Sequence, residues 1–129
     1  MKIRDAALKT ELTEKTIRYY EEIGLVVPER RENGYRDFSE QDVHSLRFLA
    51  RARKLGFSVD DCRQLLSLYS DRKRASKDVK NIAEAHLVEI DMKIKELSKM
   101  QDTLRHLVST CQGNERPDCP IINDLAGKS

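Results

Sequence analysis

Two cysteines near the C-terminal end of the sequence, Cys111 and Cys119, have the clearest capacity for chemistry. Seven residues rich in turn formers separate them. A pair of thiolates can bind a soft metal ion. Tetrahedral Zn²⁺ takes about four ligands, whereas the other donors nearby are only His106 and the hard carboxylates of Glu115 and Asp118. Two soft ligands favour a monovalent ion that accepts low coordination: Cu(I) first, and Ag(I) or Au(I) by the same chemistry.

Other uses of this cysteine pair stay open, because the same thiols can close a disulfide or act as a redox sensor. Residues 1–5 show no apolar segment typical of a secretory signal, and no apolar run approaches the ~18 residues that span a bilayer. We therefore expect a cytoplasmic protein with no membrane partner, in a compartment that keeps thiols reduced. The odd count of three cysteines also argues against a simple disulfide framework.

Two helices are expected to position the cysteine pair. A segment from about 75 to 110 contains neither Gly nor Pro and would form a helix of roughly 50 Å that ends at Cys111. Pro120 suits the first position of a short helix with Cys119 as its N-cap, which favours the thiolate. The long helix carries a heptad seam that predicts a two-fold homodimer, formed by Ala83, Leu87, Ile90, Ile94, Leu97, Leu104 and Val108, with Gln101 in the one polar place.

The first 70 residues hold every aromatic side chain, between Tyr19 and Tyr69, and can build a small core. A short helix over residues 3–9 precedes a helix over residues 14–23, which has Thr13 as its N-cap and Gly24 at its end. Two short helices joined by a tight turn suggest a helix-turn-helix, although an ordinary helical hairpin fits this pattern as well. Net charge is only +2, so a DNA-binding face requires local clustering of basic residues.

A basic hairpin is predicted directly after the second helix. Asn33-Gly34 between extended arms is a strong hairpin signal, and the arms carry basic and aromatic residues suited to phosphate contacts, namely Arg30, Arg31, Tyr35 and Arg36. Two further helices then start at Ser39 and Ser58. Cys62 occupies the apolar staple position of the second of these helices, so we interpret it as a small buried hydrophobe.

Four patches of this sequence together resemble the MerR family of transcriptional activators: residues 16–21 (TIRYYE), 24–25 (GL), 32–36 (ENGYR) and 52–58 (ARKLGFS). The C-terminal part is similar to the copper-responsive, CueR-like branch of that family, through Cys111, residues 119–122 (CPII) and residues 76–80 (SKDVK). The resemblance covers essentially the whole chain.

This resemblance implies a winged helix-turn-helix, an antiparallel coiled-coil dimer, and activation by distortion of promoter DNA bound by RNA polymerase. It implies DNA contacts by Lys15, Arg18, Tyr19 or Tyr20, Arg31, Tyr35 and Arg36. In branches that sense divalent ions a cysteine stands at the position of Ser76, so this chain lacks a third thiolate there. Ser76 is therefore expected to bear on metal selectivity, and it would also serve as an N-cap of the long helix.

One position departs from the resemblance. Many members carry glycine in the turn of the helix-turn-helix, where this chain has Glu11. If that position requires a positive φ, we expect Glu11 to cost about 1 kcal/mol of stability.

The sequence thus predicts a mainly α protein with three parts: a winged helix-turn-helix DNA-binding domain at 1–70, a dimerisation helix at 75–110, and a metal-binding loop with a short helix at 111–129. The expected function is metal-responsive transcription regulation at a two-fold symmetric promoter operator. The rival interpretation is a cytosolic metal carrier, which needs the cysteines but no wing. No nucleophile–base pair, paired carboxylates or Gly-rich phosphate loop stands out, so we do not expect an enzyme.

Overall fold

The computed structural model describes residues 1–127, which form six helices and two short strands. In chain order these are α1 (Ile3–Thr10), α2 (Glu14–Glu22), β1 (Glu29–Arg30), β2 (Arg36–Asp37), α3 (Glu40–Lys54), α4 (Val59–Ser70), α5 (Ser76–Thr110) and α6 (Pro120–Leu125). The mainly α fold predicted from the sequence is confirmed. The chain divides into two compact units, the first Met1–Ile82 and the second beginning at Ala83.

Helix starts in the first unit follow local capping chemistry. The Thr13 and Ser58 side chains each accept a hydrogen bond from the backbone N–H three residues on, which satisfies one of the free donors at the start of α2 and of α4. Ser39 makes a complete capping box with Asp42 at the start of α3. The N-caps predicted for these three helices are therefore confirmed.

The turn between α1 and α2 places Glu11 in the left-handed region, with φ +60°. Glu11 is the one non-glycine residue with positive φ in the described part of the chain. The expectation that this turn needs a positive φ is confirmed, so Glu11 occupies a conformation that disfavours any residue with a Cβ.

The hairpin after α2 forms as predicted, although its strands are very short. β1 and β2 are antiparallel, with Glu29 opposite Asp37 and Arg30 opposite Arg36. Gly34 has φ +83° at the tip, where its N–H donates to the Arg31 carbonyl at 2.8 Å. We call residues 29–37 the wing.

The chain terminus secures the base of the wing. The Met1 ammonium donates to the Asp37 carboxylate at 2.7 Å and to the Phe38 carbonyl at 2.7 Å. The Phe38 N–H donates to the Met1 carbonyl at 2.8 Å. The first residue therefore lies alongside the end of β2.

A single core unites α1 to α4 with the segment before the wing. Its largest fully buried side chains are Phe38, Ile17, Leu46, Leu49 and Cys62, and each aliphatic or aromatic one contributes about 1.5–3 kcal/mol by leaving water. The remaining buried members are Ala6, Tyr20, Leu25, Val26, Val43 and Ala52.

The long helix α5 leaves most of its apolar stripe in solvent within the single chain. Five side chains of the predicted seam are more than half exposed, and these are Leu87, Ile94, Leu97, Leu104 and Val108. No helix in the described part of the chain is both long enough and apolar enough to cross a bilayer. The division at 1–70, 75–110 and 111–129 stays a prediction, and its residues 128 and 129 lie outside the described residues.

Candidate metal centre and nucleic-acid interface

The ends of two helices bring Cys111 and Cys119 together. Cys111 directly follows α5 and continues its hydrogen bonding, since its N–H donates to the Leu107 carbonyl at 3.1 Å. Cys119 is the N-cap of α6, with Pro120 in the first turn, as the sequence predicted. The two Sγ atoms lie 3.2 Å apart, and both side chains are half-buried. This distance exceeds a disulfide bond of about 2.05 Å, so both thiols are free.

The start of α6 and the neighbouring thiol favour the thiolate form of Cys119. The backbone N–H of Ile122 and, next, the Cys111 thiol lower the pKa of Cys119 below the ordinary thiol value, and burial opposes them. The thiolate is the form that binds metal. A metal–sulfur distance of about 2.3 Å lets one ion reach two sulfurs that lie up to about 4.6 Å apart. At 3.2 Å the two sulfurs are close enough for one soft ion to contact both, and they would separate by about 1.4 Å to hold it in a line.

Few other ligands surround this pair. Among residues 1–127, no three His, Cys, Asp or Glu side chains cluster closely enough to hold a metal ion. His106, Glu115 and Asp118 are exposed. Hydrogen bonds inside the connecting loop are local: Asn114 accepts from the Arg116 N–H at 2.9 Å and donates to Gln112 at 3.2 Å. The arrangement is a two-sulfur site on a polar loop.

Ser76 and Cys62 were the other residues considered for metal chemistry. Ser76 is exposed and is the first helical residue of α5, so the N-cap position predicted for it falls one residue earlier. Its effect on metal selectivity stays a prediction. Cys62 is 1% exposed in the core, where burial raises the pKa of its thiol. A buried neutral thiol agrees with the structural role expected for Cys62.

Most of the predicted DNA-contacting side chains are exposed on α2 and the wing. Lys15, Arg18 and Tyr19 lie on α2, and Arg31 and Tyr35 lie on the wing. Arg18 is 4.0 Å from Glu14, a long and solvent-exposed ion pair that leaves its guanidinium available. These five positions remain predicted DNA contacts.

Tyr20 is a correction to the predicted interface. Its side chain is 5% exposed and belongs to the core, three residues after the fully buried Ile17 on the same face of α2. Burial raises the pKa of Tyr20, and the nearby Arg53 opposes that rise. Of the two neighbouring tyrosines, only Tyr19 presents its ring to solvent, at 47% exposure.

Arg36 is also placed differently from the expectation of a free phosphate contact. Its Nε donates to the Glu21 carboxylate of α2, and its side chain is only 28% exposed. Glu21 also accepts from Arg30 at 2.9 Å. The sequence reasoning missed Glu21 because it lies 15 residues from Arg36, with no periodic pattern that links them.

Comparisons with known proteins agree with this architecture. The family profile described as MerR HTH family regulatory protein matches residues 1–68, and the profile described as MerR, DNA binding, matches residues 43–107. The HTH-type transcriptional regulator HmrR of Rhizobium leguminosarum bv. viciae is 59% identical over 126 residues, covering 98% of each chain. CueR of Salmonella typhimurium is 44% identical, covering 98% of this chain and 93% of that protein.

A solved structure extends the likeness to three dimensions. The transcription regulator PbrR691 from Ralstonia metallidurans CH34, in complex with lead(II), superimposes with a TM-score of 0.83 at 30% identity. That comparison covers 97% of this chain and 98% of the other. With a profile match over more than half of its length and full-length relatives above 40% identity, this chain belongs to the MerR family of helix-turn-helix transcriptional regulators.

Proposed function

We propose that this protein is a metal-responsive transcription regulator that senses a soft monovalent ion, Cu(I) in the first place, through Cys111 and Cys119. The observation that carries the proposal is the pair of free sulfurs 3.2 Å apart, with no cluster of three potential ligands among residues 1–127. Relatives described as HmrR and CueR cover nearly the whole chain.

The choice of a monovalent ion depends on ligand number. Two thiolates satisfy Cu(I), Ag(I) or Au(I), whereas divalent ions in protein sites usually take more ligands. The structure of PbrR691 contains lead(II), so the fold by itself does not select the charge of the ion. A serine at position 76 cannot supply a third thiolate, which supports the two-ligand interpretation.

Metal stoichiometry tests this choice. The reduced protein is titrated with Cu(I), Ag(I) and Zn²⁺, and bound metal is counted per chain. We expect tight binding of one monovalent ion per cysteine pair and weak binding of Zn²⁺. The double variant Cys111→Ser, Cys119→Ser should lose this site, while Cys62→Ala, which removes the third thiol, should keep it. Full Cu(I) binding or a copper response by the double variant would refute the proposal.

Promoter binding is proposed to occur as a homodimer. The exposed seam of α5 needs a partner, and a second copy would bury it and set two helix-turn-helix units on two half-sites of a symmetric operator. A metal ion bound by both Cys111 and Cys119 would order the loop between them. The free energy of metal binding would offset the cost of bending and untwisting the promoter DNA, which places the promoter in a form that RNA polymerase can use.

A cytosolic metal carrier would use the same cysteines without binding DNA. Sequence-selective and salt-dependent DNA binding separates the two proposals, because a carrier shows neither property.

Light scattering tests the proposed homodimer, because it measures the mass of the DNA-free protein. A monomer over the micromolar range would contradict the proposed dimer.

A thiol-redox sensor is the second candidate, because the 3.2 Å separation of the two sulfurs leaves only a small movement before they can bond. Loss of two protons and two electrons to a cellular oxidant would form the Cys111–Cys119 disulfide. The reduction potential distinguishes the candidates: a value close to that of cytosolic glutathione would let the pair switch with the redox state of the cell, whereas a much higher value would keep it reduced and free for metal.

A further inference from the structure

The Glu21 carboxylate joins α2 to both strands of the wing. Its Oε1 pairs with Nη2 of Arg30 at 2.9 Å, and its Oε2 pairs with Nε of Arg36. Arg30 and Arg36 face each other across the hairpin. The Glu21 side chain is only 16% exposed, so water weakens these charged hydrogen bonds less than it weakens surface pairs. We call these three residues the wing clamp.

Apart from the Met1 contacts at its base, the wing has few contacts that fix its direction. Each strand is only two residues long, and an isolated two-stranded hairpin is marginally stable at best. The clamp extends toward the tip, because Arg30 Nη1 also donates to the Gly34 carbonyl at 3.0 Å. The exposed Arg31 and Tyr35 flank that tip. Their direction relative to α2 therefore depends strongly on Glu21.

We propose that Glu21 is a positioning residue for DNA binding, which sets the angle between the wing and α2 by means of the wing clamp. This inference rests on the proposed DNA-binding function. It reassigns Arg36 from a free phosphate contact to a structural partner of Glu21. Arg31 and Tyr35 then become the wing groups that reach the DNA.

The inference is testable because neutralising Glu21 has two opposite effects on DNA affinity, one through charge and one through the position of the wing. The wing clamp carries a net charge of +1, from two arginines and one carboxylate. Neutralising Glu21 raises this to +2, which by charge alone strengthens binding to the phosphate backbone. Loss of positioning instead weakens binding to the specific site, since the wing no longer presents its contacts in one geometry.

The experiment compares Glu21→Gln with Glu22→Gln. Glu22 is the next residue of the same helix, is exposed, and takes part in no ion pair in the described part of the chain. Both variants change the net charge by the same amount. The probes are a duplex that the full-length wild-type protein selects from a randomised library and a scrambled duplex of the same composition, both measured at one fixed salt concentration.

We expect Glu21→Gln to bind the selected duplex about tenfold more weakly, as for loss of a charged hydrogen bond. Its affinity for the scrambled duplex should be unchanged or higher. Glu22→Gln should bind both duplexes at least as tightly as wild type. In the DNA-free protein, hydrogen exchange at the Arg31 and Gly34 amides should accelerate in Glu21→Gln only, because both amides bond within the wing.

Equal affinity of the two variants for the selected duplex, or unchanged wing exchange in Glu21→Gln, would overturn the inference. If Glu21→Gln does not fold, Glu21→Asp provides the same test with the charge retained, and an intermediate loss of selected-site affinity is expected. If the wild-type protein selects no duplex, the proposed DNA binding is refuted. Faster hydrogen exchange of the wing amides in Glu21→Gln would then still support the wing clamp as the contact that fixes the wing.

Discussion

Glu11 provides a direct test of stored backbone strain. It holds φ +60° in the turn between α1 and α2. Its side chain makes no ion pair or side-chain hydrogen bond in the described part of the chain, so replacing it removes no contact of that kind. Compared with Glu11→Ala, which removes the same charge and keeps the Cβ, the change Glu11→Gly therefore isolates the conformational cost of a Cβ at this position.

The magnitude follows from two opposing terms. The left-handed conformation costs a residue with a Cβ about 1–2 kcal/mol, and glycine removes that cost. Glycine also gives the unfolded chain more freedom, which costs about 0.4–1 kcal/mol. We expect Glu11→Gly to raise the free energy of unfolding by roughly 0.5–1 kcal/mol.

Urea unfolding followed by circular dichroism measures this change at one fixed protein concentration, because self-association would make the stability concentration-dependent. Glu11→Ala is the matched control. It keeps the Cβ and removes the acidic charge from the C-terminal end of α1. Loss of that charge raises the free energy of unfolding by about 0.3–1 kcal/mol at most, because a negative charge is unfavourable at this end of a helix. If Glu11→Ala stabilises the protein as much as Glu11→Gly does, backbone strain is not the cause and the reasoning fails.

Three other predictions concern acid–base chemistry and the core. Alkylation of Cys119 in the reduced, metal-free protein should show a pH midpoint below the ordinary thiol value, because the Ile122 N–H and the Cys111 thiol favour its thiolate; a midpoint at or above that value contradicts the assignment. The pKa of Asp37 is lowered below 3.8, first by the hydrogen bond from the terminal ammonium. Its carboxylate therefore stabilises the fold above that pH and loses this contribution as pH falls through the lowered pKa. Asp37→Asn should consequently be less stable than wild type near neutral pH and should converge with it in acid, and parallel curves in denaturant titrations would exclude this. Cys62→Ser should lower the free energy of unfolding by about 1–3 kcal/mol, because it buries a hydroxyl, with metal stoichiometry unchanged.

Features set by neighbouring residues were predictable from the sequence. Caps at Thr13, Ser39 and Ser58, the Asn33-Gly34 turn and the N-cap position of Cys119 each depend on a few consecutive residues, and the structure has all of them. The same locality explains why the bounds of α1 and α2 came within one residue of the prediction.

Features that depend on distant residues were not predictable in the same way. Tyr20 is an exception, because its spacing of three residues from Ile17 indicated that it shares the buried face of α2. The pairing of Arg36 with Glu21 joins residues 15 apart across an irregular segment. The contact of Met1 with Asp37 joins residues 36 apart. A basic residue in a wing can contact DNA or form an ion pair within the protein, and only the structure shows which partners it has.

The cysteine loop has a consequence for how a sensing threshold can change. Ion binding requires the sulfurs of Cys111 and Cys119, which lie 3.2 Å apart, to stay close together, so the entropy of closing this loop enters the metal affinity. Each doubling of a flexible ring costs only about 0.6 kcal/mol, close to a threefold change in affinity. For a site of the proposed kind, insertions among the exposed loop residues would adjust the responding concentration in small steps, with both ligands untouched.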